Sequence, residues 1–152
     1  MQTEPHRLHF LLHSSALVEE RLRLRLADLD IHPRQARVLD ALDRMGKASQ
    51  AELAREFDLT PASMSTMTAR LLQAGYISRT SHPDEARSYV LALSGKGRDV
   101  LSEVYKAWSD IDRMIADTLG VEKAAQLAGL THELRNALGG RGPGRAEKAD
   151  RD

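Results

Sequence analysis

Three groups of residues have types and spacings that could do chemistry. His6, His9 and His13 stand at i, i+3 and i+7, one face of a helix, and three imidazoles so placed could ligate zinc. No carboxylate falls among them and His6 lies near a fraying end, so the expected role is a polar seam at an interface between chains, with protonation-dependent packing as a side effect. No metal is assigned. The second group is "TPASMSTMTARLLQA", residues 60–74, which contains no acid. Opposite Met64, Met67, Leu71 and Leu72 it sets Ser63, Ser65, Thr66, Thr68 and Arg70, a small, uncharged-to-positive surface. A DNA major groove favours such a face, because carboxylates would repel phosphates and bulky side chains would hold the helix off. A helix whose solvent face happens to be serine-rich would have the same composition. The third group is the tip of "SHPDEARSYVLALSGKGR", residues 81–98, where Asp84 or Glu85 can pair with Arg87. As a solvated ion pair this would contribute only about 0–1 kcal/mol.

The elements that must position these residues are legible from caps and periodicity. Thr3, Glu4 and Pro5 have the makings of a helix start, and Leu8, Leu11, Val18, Leu22 and Leu29 then recur on one stripe. A helix of about 25 residues, on the order of 37 Å long, is more than its own small domain can cover, which predicts a partner chain. His32-Pro33 breaks the pattern, Val38, Leu39 and Leu42 resume it, and Gly46 ends it. "SQAELAREF" opens with a capping box of Ser49 and Glu52. Thr60 caps the next helix, with Pro61 at its first position and Gly75 at its close. "YISRTS" and "RSYVLAL" are expected to be two strands joined by "HPDEA". After Ser94 a helix returns, with Val100, Leu101, Val104, Trp108, Ile111, Met114 and Ile115 in a 3-and-4 rhythm, and a last helix covers about Val121 to Leu138. The tail "GGRGPGRAEKADRD" is almost without apolar residues and is expected to be disordered.

Bulk composition excludes more than it assigns. The chain has 152 residues, enough for one compact domain. Its formal net charge is zero, so a nucleic-acid partner must be argued locally. Residues 60–98 supply that argument, with Arg70, Arg79, Arg87, Lys96 and Arg98 against Asp84 and Glu85 alone. The absence of cysteine removes disulfides and thiolate metal sites and fits a reducing compartment. No apolar run approaches the roughly 18 residues of a membrane span, and "HRLHFLLH" lacks a signal-peptide layout. A soluble, cytoplasmic protein with no membrane association is expected. There is no GxGxxG, no P-loop and no βαβ alternation.

"SQAELAREF", the turn "DLT" and the helix after it form a helix-turn-helix whose second helix is the reader. Ser49 and Gln50 are then candidates for phosphate contact through backbone N–H groups. The following hairpin is a wing, and an arginine at its tip would gain from the negative potential of a narrow minor groove.

Over residues 5–138 the chain resembles the MarR family of winged helix-turn-helix transcriptional regulators. The likeness rests on the short helix with its "LA", the serine- and threonine-rich helix closing in "LLQAGYISR", the wing, and the restart on Leu93, Ser94 and Gly97. The resemblance implies a mainly α fold with a small β-hairpin wing. It divides the chain into an N-terminal dimerisation helix (3–30), a winged helix-turn-helix domain (31–98), C-terminal dimerisation helices (99–139) and a disordered tail (140–152). It also implies an intertwined homodimer on double-stranded DNA with a pseudo-palindromic operator. By position, Ser63, Ser65 and Thr66 match the base-facing part of the reading helix, Arg70 a backbone-contacting place and Arg87 the wing arginine. Ser49, Gln50, Pro61 and Arg79 complete the expected interface. The wing departs from the family: Glu85 stands where the acid is usually aspartate, Ala86 where a further arginine is common, and Asp84 serves if the loop shifts by one.

Many members bind small anionic aromatic ligands between the dimer helices and the winged domain, which implies a repressor released by a small-molecule effector. His9, His13, Arg37 and Trp108 are the expected lining here, with plain core or dimer packing as the alternative for Trp108. No cofactor and no enzymatic activity are expected. Two other classes have the same outline: a winged-helix module for protein assembly without DNA binding, and a metal-dependent enzyme built on the histidines. The first would need apolar or aromatic anchors on the serine face, and the second a general base and an outer shell. Neither is present in the sequence.

Overall fold

The computed structural model describes residues 6–82, 84–85 and 89–140. Thr3, Glu4 and Pro5, expected to start the first helix, lie outside the described residues, as do Arg87 at the wing tip and all of the tail after Gly140. The elements run α1 (Leu8–Leu26), a 3-10 turn (Ala27–Leu29), α2 (Pro33–Met45), β1 (Ala48–Ser49), α3 (Gln50–Glu56), α4 (Pro61–Gln73), β2 (Ile77–Ser81), β3 (Tyr89–Leu93), α5 (Gly95–Leu119) and α6 (Val121–Ala137).

Local chemistry sets the boundaries. His32 caps α2: its Nδ1 accepts from the Arg34 N–H, the Gln35 side chain accepts from the His32 N–H, and Pro33 occupies the first helical position. The helix ends on Gly46, whose positive φ suits a residue without Cβ. Ser94 caps α5 by accepting from Gly97 N–H, and its hydroxyl donates to the Gly75 carbonyl at 2.6 Å. Gly97 is needed for close approach, since a Cβ there would fall 1.9 Å from the Tyr76 carbonyl oxygen.

The sheet is antiparallel in the order β1-β3-β2, with Ala48 opposite Leu91, and Ile77 opposite Leu93. Two of its strands are those expected; β1 is an addition. It is two residues long, too short for an alternating pattern, and it pins the start of α3 to the back of the wing. The core is filled by Leu39, Leu42, Leu53, Met64, Leu71, Leu101 and Val104, all buried. These come from α2, α3, α4 and α5, so the sheet and the helix pair share one hydrophobic centre.

α1 joins this core only at its C-terminal end, where Leu26 is buried and Leu22 and Leu29 are partly covered. Leu8, Phe10, Leu11 and Leu12 stand 45–63% exposed, and α6 leaves Val121 and Leu130 more than 60% exposed. Among the described residues nothing covers these faces. No described helix is long and apolar enough to cross a membrane.

Candidate nucleic-acid interface

The reading helix is fixed at both ends and on one side. At its start Thr60 accepts from the Ser63 N–H at 3.2 Å, and the Thr60 hydroxyl donates to Ser63 Oγ at 3.0 Å. At its end the Tyr76 N–H reaches the Leu71 carbonyl and the Gly75 N–H reaches Leu72, a Schellman pair with Gly75 at φ 79°. Met64 and Leu71 anchor it inward. Thr68 corrects the expected outward set, because it is 2% exposed and faces the core. Its hydroxyl donates to the Met64 carbonyl at 3.0 Å, which removes the cost of burying it. What remains outward at 100° per residue is Ala62, Thr66, Ala69 and Gln73, with Ser65 on one flank and Ser63 and Arg70 on the other, all exposed. Ala62, Ala69 and Gln73 were not anticipated. Helical spacing from Thr66 alone would have found them.

One recess borders this face, and a second lies between α3 and the wing. Along one edge, Ser63, Thr66 and Arg70 face His32, Arg34 and Gln35 of α2 across about 360 Å³. In the second, Ser49, Gln50, Arg55, Arg79, His82 and Glu85 surround about 460 Å³ between α3 and the wing, and α4 contributes only Leu72. The structure thus brings the expected residues together in two sets, one beside α4 and one between α3 and the wing. Pro61 is exposed at the leading end of α4.

The capping box on Ser49 forms as expected: Ser49 Oγ accepts from Glu52 N–H at 3.1 Å, and the Glu52 carboxylate accepts from Ser49 N–H at 2.7 Å. That second bond occupies the Ser49 N–H and sets a negative charge beside it, so the phosphate contact expected through this amide is not free to form here.

On the wing, the Arg79 guanidinium lies 4.4 Å from the centre of the Tyr89 ring, held there by the pairing of β2 with β3. The tip is organised by His82, whose Nδ1 accepts from the Asp84 N–H at 3.1 Å. Asp84 and Glu85 are exposed, and Glu85 faces the recess toward α3. Their expected partner Arg87 lies outside the described residues.

The four residues expected to line an effector site do not meet within one chain. Arg37 borders a mainly apolar recess of about 810 Å³ among α1, α2, α5 and α6, with Leu11, Val18, Leu22, Ile115 and Leu127. The Arg37 guanidinium also stands 5.4 Å over the Phe57 ring. His9 and His13 belong to a separate shallow surface of α1 with Phe10 and Leu17. Trp108 is half-buried against the core and packs on Tyr105 at 5.6 Å between ring centres. The His6 and His9 rings are 6.0 Å apart, and among the described residues no three His, Cys, Asp or Glu side chains are grouped to hold a metal.

A capped, exposed and acid-free second helix, joined to its predecessor by a four-residue turn and followed by a hairpin, defines a winged helix-turn-helix protein. Residues 29–88, the winged-helix unit, match the MarR family model. A curated relative, the HTH-type transcriptional regulator BilQ of Clostridioides difficile, is 23% identical over 95 residues, which are 62% of this chain and 64% of that protein. The reduced form of MarR from E. coli superposes with a TM-score of 0.78 at 21% identity, covering 87% of this chain and 98% of that one. A substituted E. coli MarR in complex with operator DNA gives 0.74 at 21%, over 85% and 94%. YusO from Bacillus subtilis gives 0.68 at 25%, over 85% and 94%. The two E. coli likenesses speak for the fold.

Proposed function

We propose that this chain is a DNA-binding transcriptional regulator that acts as a homodimer on a pseudo-palindromic operator. The observation that carries this is the outer face of α4: seated, capped, free of carboxylates, and bordered by Arg70 on one side and Arg79 beyond α3 on the other. An α-helix about 10–12 Å across fits a major groove about 12 Å wide, and small residues at Ala62, Ser65, Thr66 and Ala69 let the backbone approach the bases. That the similarly folded E. coli MarR forms a complex with operator DNA supports a DNA partner here. Gln50 takes the phosphate at the start of α3 in place of Ser49, and Arg87 enters the minor groove from the wing.

The dimer is supported by the uncovered apolar residues of α1 and α6, which a second copy would bury. Two-fold symmetry then sets the two reading helices about 34 Å apart, one turn of DNA. We propose further that the protein represses, and that a small anionic aromatic ligand releases it by entering the apolar recess beside Arg37. Such a ligand would favour a spacing of the helices unsuited to DNA, with a coupling of about 1–3 kcal/mol.

Selection of duplexes from a random pool by the purified protein tests this. The enriched sites should be pseudo-palindromes with half-site centres about 10–10.5 base pairs apart. A pool that stays random after repeated rounds would contradict it.

A further inference from the structure

We infer that Arg34 extends the DNA contact beyond the helix pair, joining Arg70 as a two-arginine clamp on backbone phosphate beside each half-site. This rests on α4 being the helix that faces DNA.

The recess between α2 and α4 has Arg34, His32 and Gln35 on one wall and Ser63, Thr66 and Arg70 on the other. No carboxylate lines it. Four other arginines of this neutral chain are ion-paired: Arg23 with Glu20, Arg25 and Arg113 with Asp110, and Arg44 with Asp40. Arg34 and Arg70 have no carboxylate within ion-pair distance among the described residues, and both are exposed. The recess between α3 and the wing differs, because Glu52 and Glu85 sit there among its cations. What marks this edge is the placing of two such guanidiniums on opposite walls of one acid-free hollow.

Groove geometry says what meets them. A helix that nearly fills the major groove has a phosphate backbone along each edge. Ser63, Thr66 and Arg70 form one such edge, so a backbone running beside them passes between α4 and the first turn of α2. Guanidinium forks match phosphate oxygens and hold them by paired hydrogen bonds. The turn that carries Arg34 is already fixed, since the Gln35 side chain accepts from His32 N–H at 2.9 Å and His32 accepts from Arg34 N–H. The backbone there needs no further ordering on binding, and only the Arg34 side chain has to be fixed.

The test is binding of wild type, Arg34→Ala and Arg34→Lys to a selected operator and to a scrambled duplex over a range of salt. Helical content by circular dichroism confirms that each variant is folded. Arg34→Ala should weaken binding to both duplexes by the same factor. The slope of log affinity against log salt should fall by about one per half-site, about two for the dimer. Arg34→Lys should keep most of the slope. If Arg34→Ala binds both duplexes as wild type does, with an unchanged slope, the clamp is wrong while the reading helix stands. If wild type binds neither duplex at low salt, the DNA-facing assignment of α4 fails, and the clamp fails with it.

Discussion

The Tyr105 hydroxyl donates to Asp40 Oδ1 at 2.9 Å, joining α5 to α2 across 65 positions of sequence. Asp40 is 5% exposed and also pairs with Arg44, so a buried carboxylate holds two donors. The Arg25–Asp110 pair at 2.6 Å makes a second polar link, between α1 and α5. The first ties α2 of the winged unit to α5, and the second ties the two long helices to each other. Tyr105→Phe should lower the free energy of unfolding in urea by about 1–2 kcal/mol, the range for a hydrogen bond to a charged group that is partly exposed.

Tyr105 also has a pH signature. Burial raises the Tyr105 phenol above its ordinary value of 10.0, the negative charge of Asp43 adds to the rise, and Arg44 opposes it. The folded state therefore prefers the protonated phenol. Its contribution to stability is full below the unfolded value and is lost as pH rises through the folded one. The difference in alkaline absorbance between wild type and Tyr105→Phe should show a phenol ionising above pH 10.

Gly97 should tolerate no side chain. A Cβ would sit 1.9 Å from the Tyr76 carbonyl oxygen, so Gly97→Ala must displace the start of α5 from the wing and should destabilise by about 1–3 kcal/mol or more. Gly129, within α6, meets nothing within 4 Å. Gly129→Ala should raise stability by up to about 1 kcal/mol. Thermal melts of the two variants should move in opposite directions.

Thr66 and Arg70 should affect DNA binding in different ways. The Thr66 hydroxyl donates to the Ala62 carbonyl at 3.2 Å, which leaves its oxygen as an acceptor toward a base donor. Thr66→Ala should change discrimination at one base pair by about 1–3 kcal/mol and leave the salt slope alone. Arg70→Ala should weaken all sequences together and reduce the slope. Anisotropy titrations against a panel of singly substituted operators separate the two.

Leu130 on α6 is 65% exposed and Phe10 on α1 is 63% exposed. If a second copy buries them, Leu130→Glu or Phe10→Glu should cost about 2 kcal/mol or more of association. That is roughly thirtyfold in dimer dissociation, readable by sedimentation.

Caps and periodicity carried most of the fold into the sequence: Ser49 with Glu52, Thr60 with Pro61, Gly75, and Ser94 with Gly97 each stop or start an element where expected. What escaped depended on contacts distant in sequence. β1 exists only because Ala48 and Ser49 meet β3, and two residues carry no pattern of their own. Thr68 reads as surface by polarity, yet a bond to its own helix lets it join the core. The Ser49 amide was legible as a helix start but not as one already occupied by Glu52, although the capping box implies that bond. Arg34 was passed over because its place beside α4 is set by how α2 packs. His9, His13, Arg37 and Trp108 were grouped by chemistry, and the tertiary arrangement divides them among three places on one chain.

The most direct measurement is a titration of the purified protein against a selected operator and a scrambled duplex of the same length, at two salt concentrations. A DNA-reading α4 requires tight binding by a dimer that favours the operator by about a thousandfold or more and weakens steeply as salt rises. Absence of binding to either duplex at low salt would contradict it, and would turn the exposed face of α4 into a surface for something other than DNA.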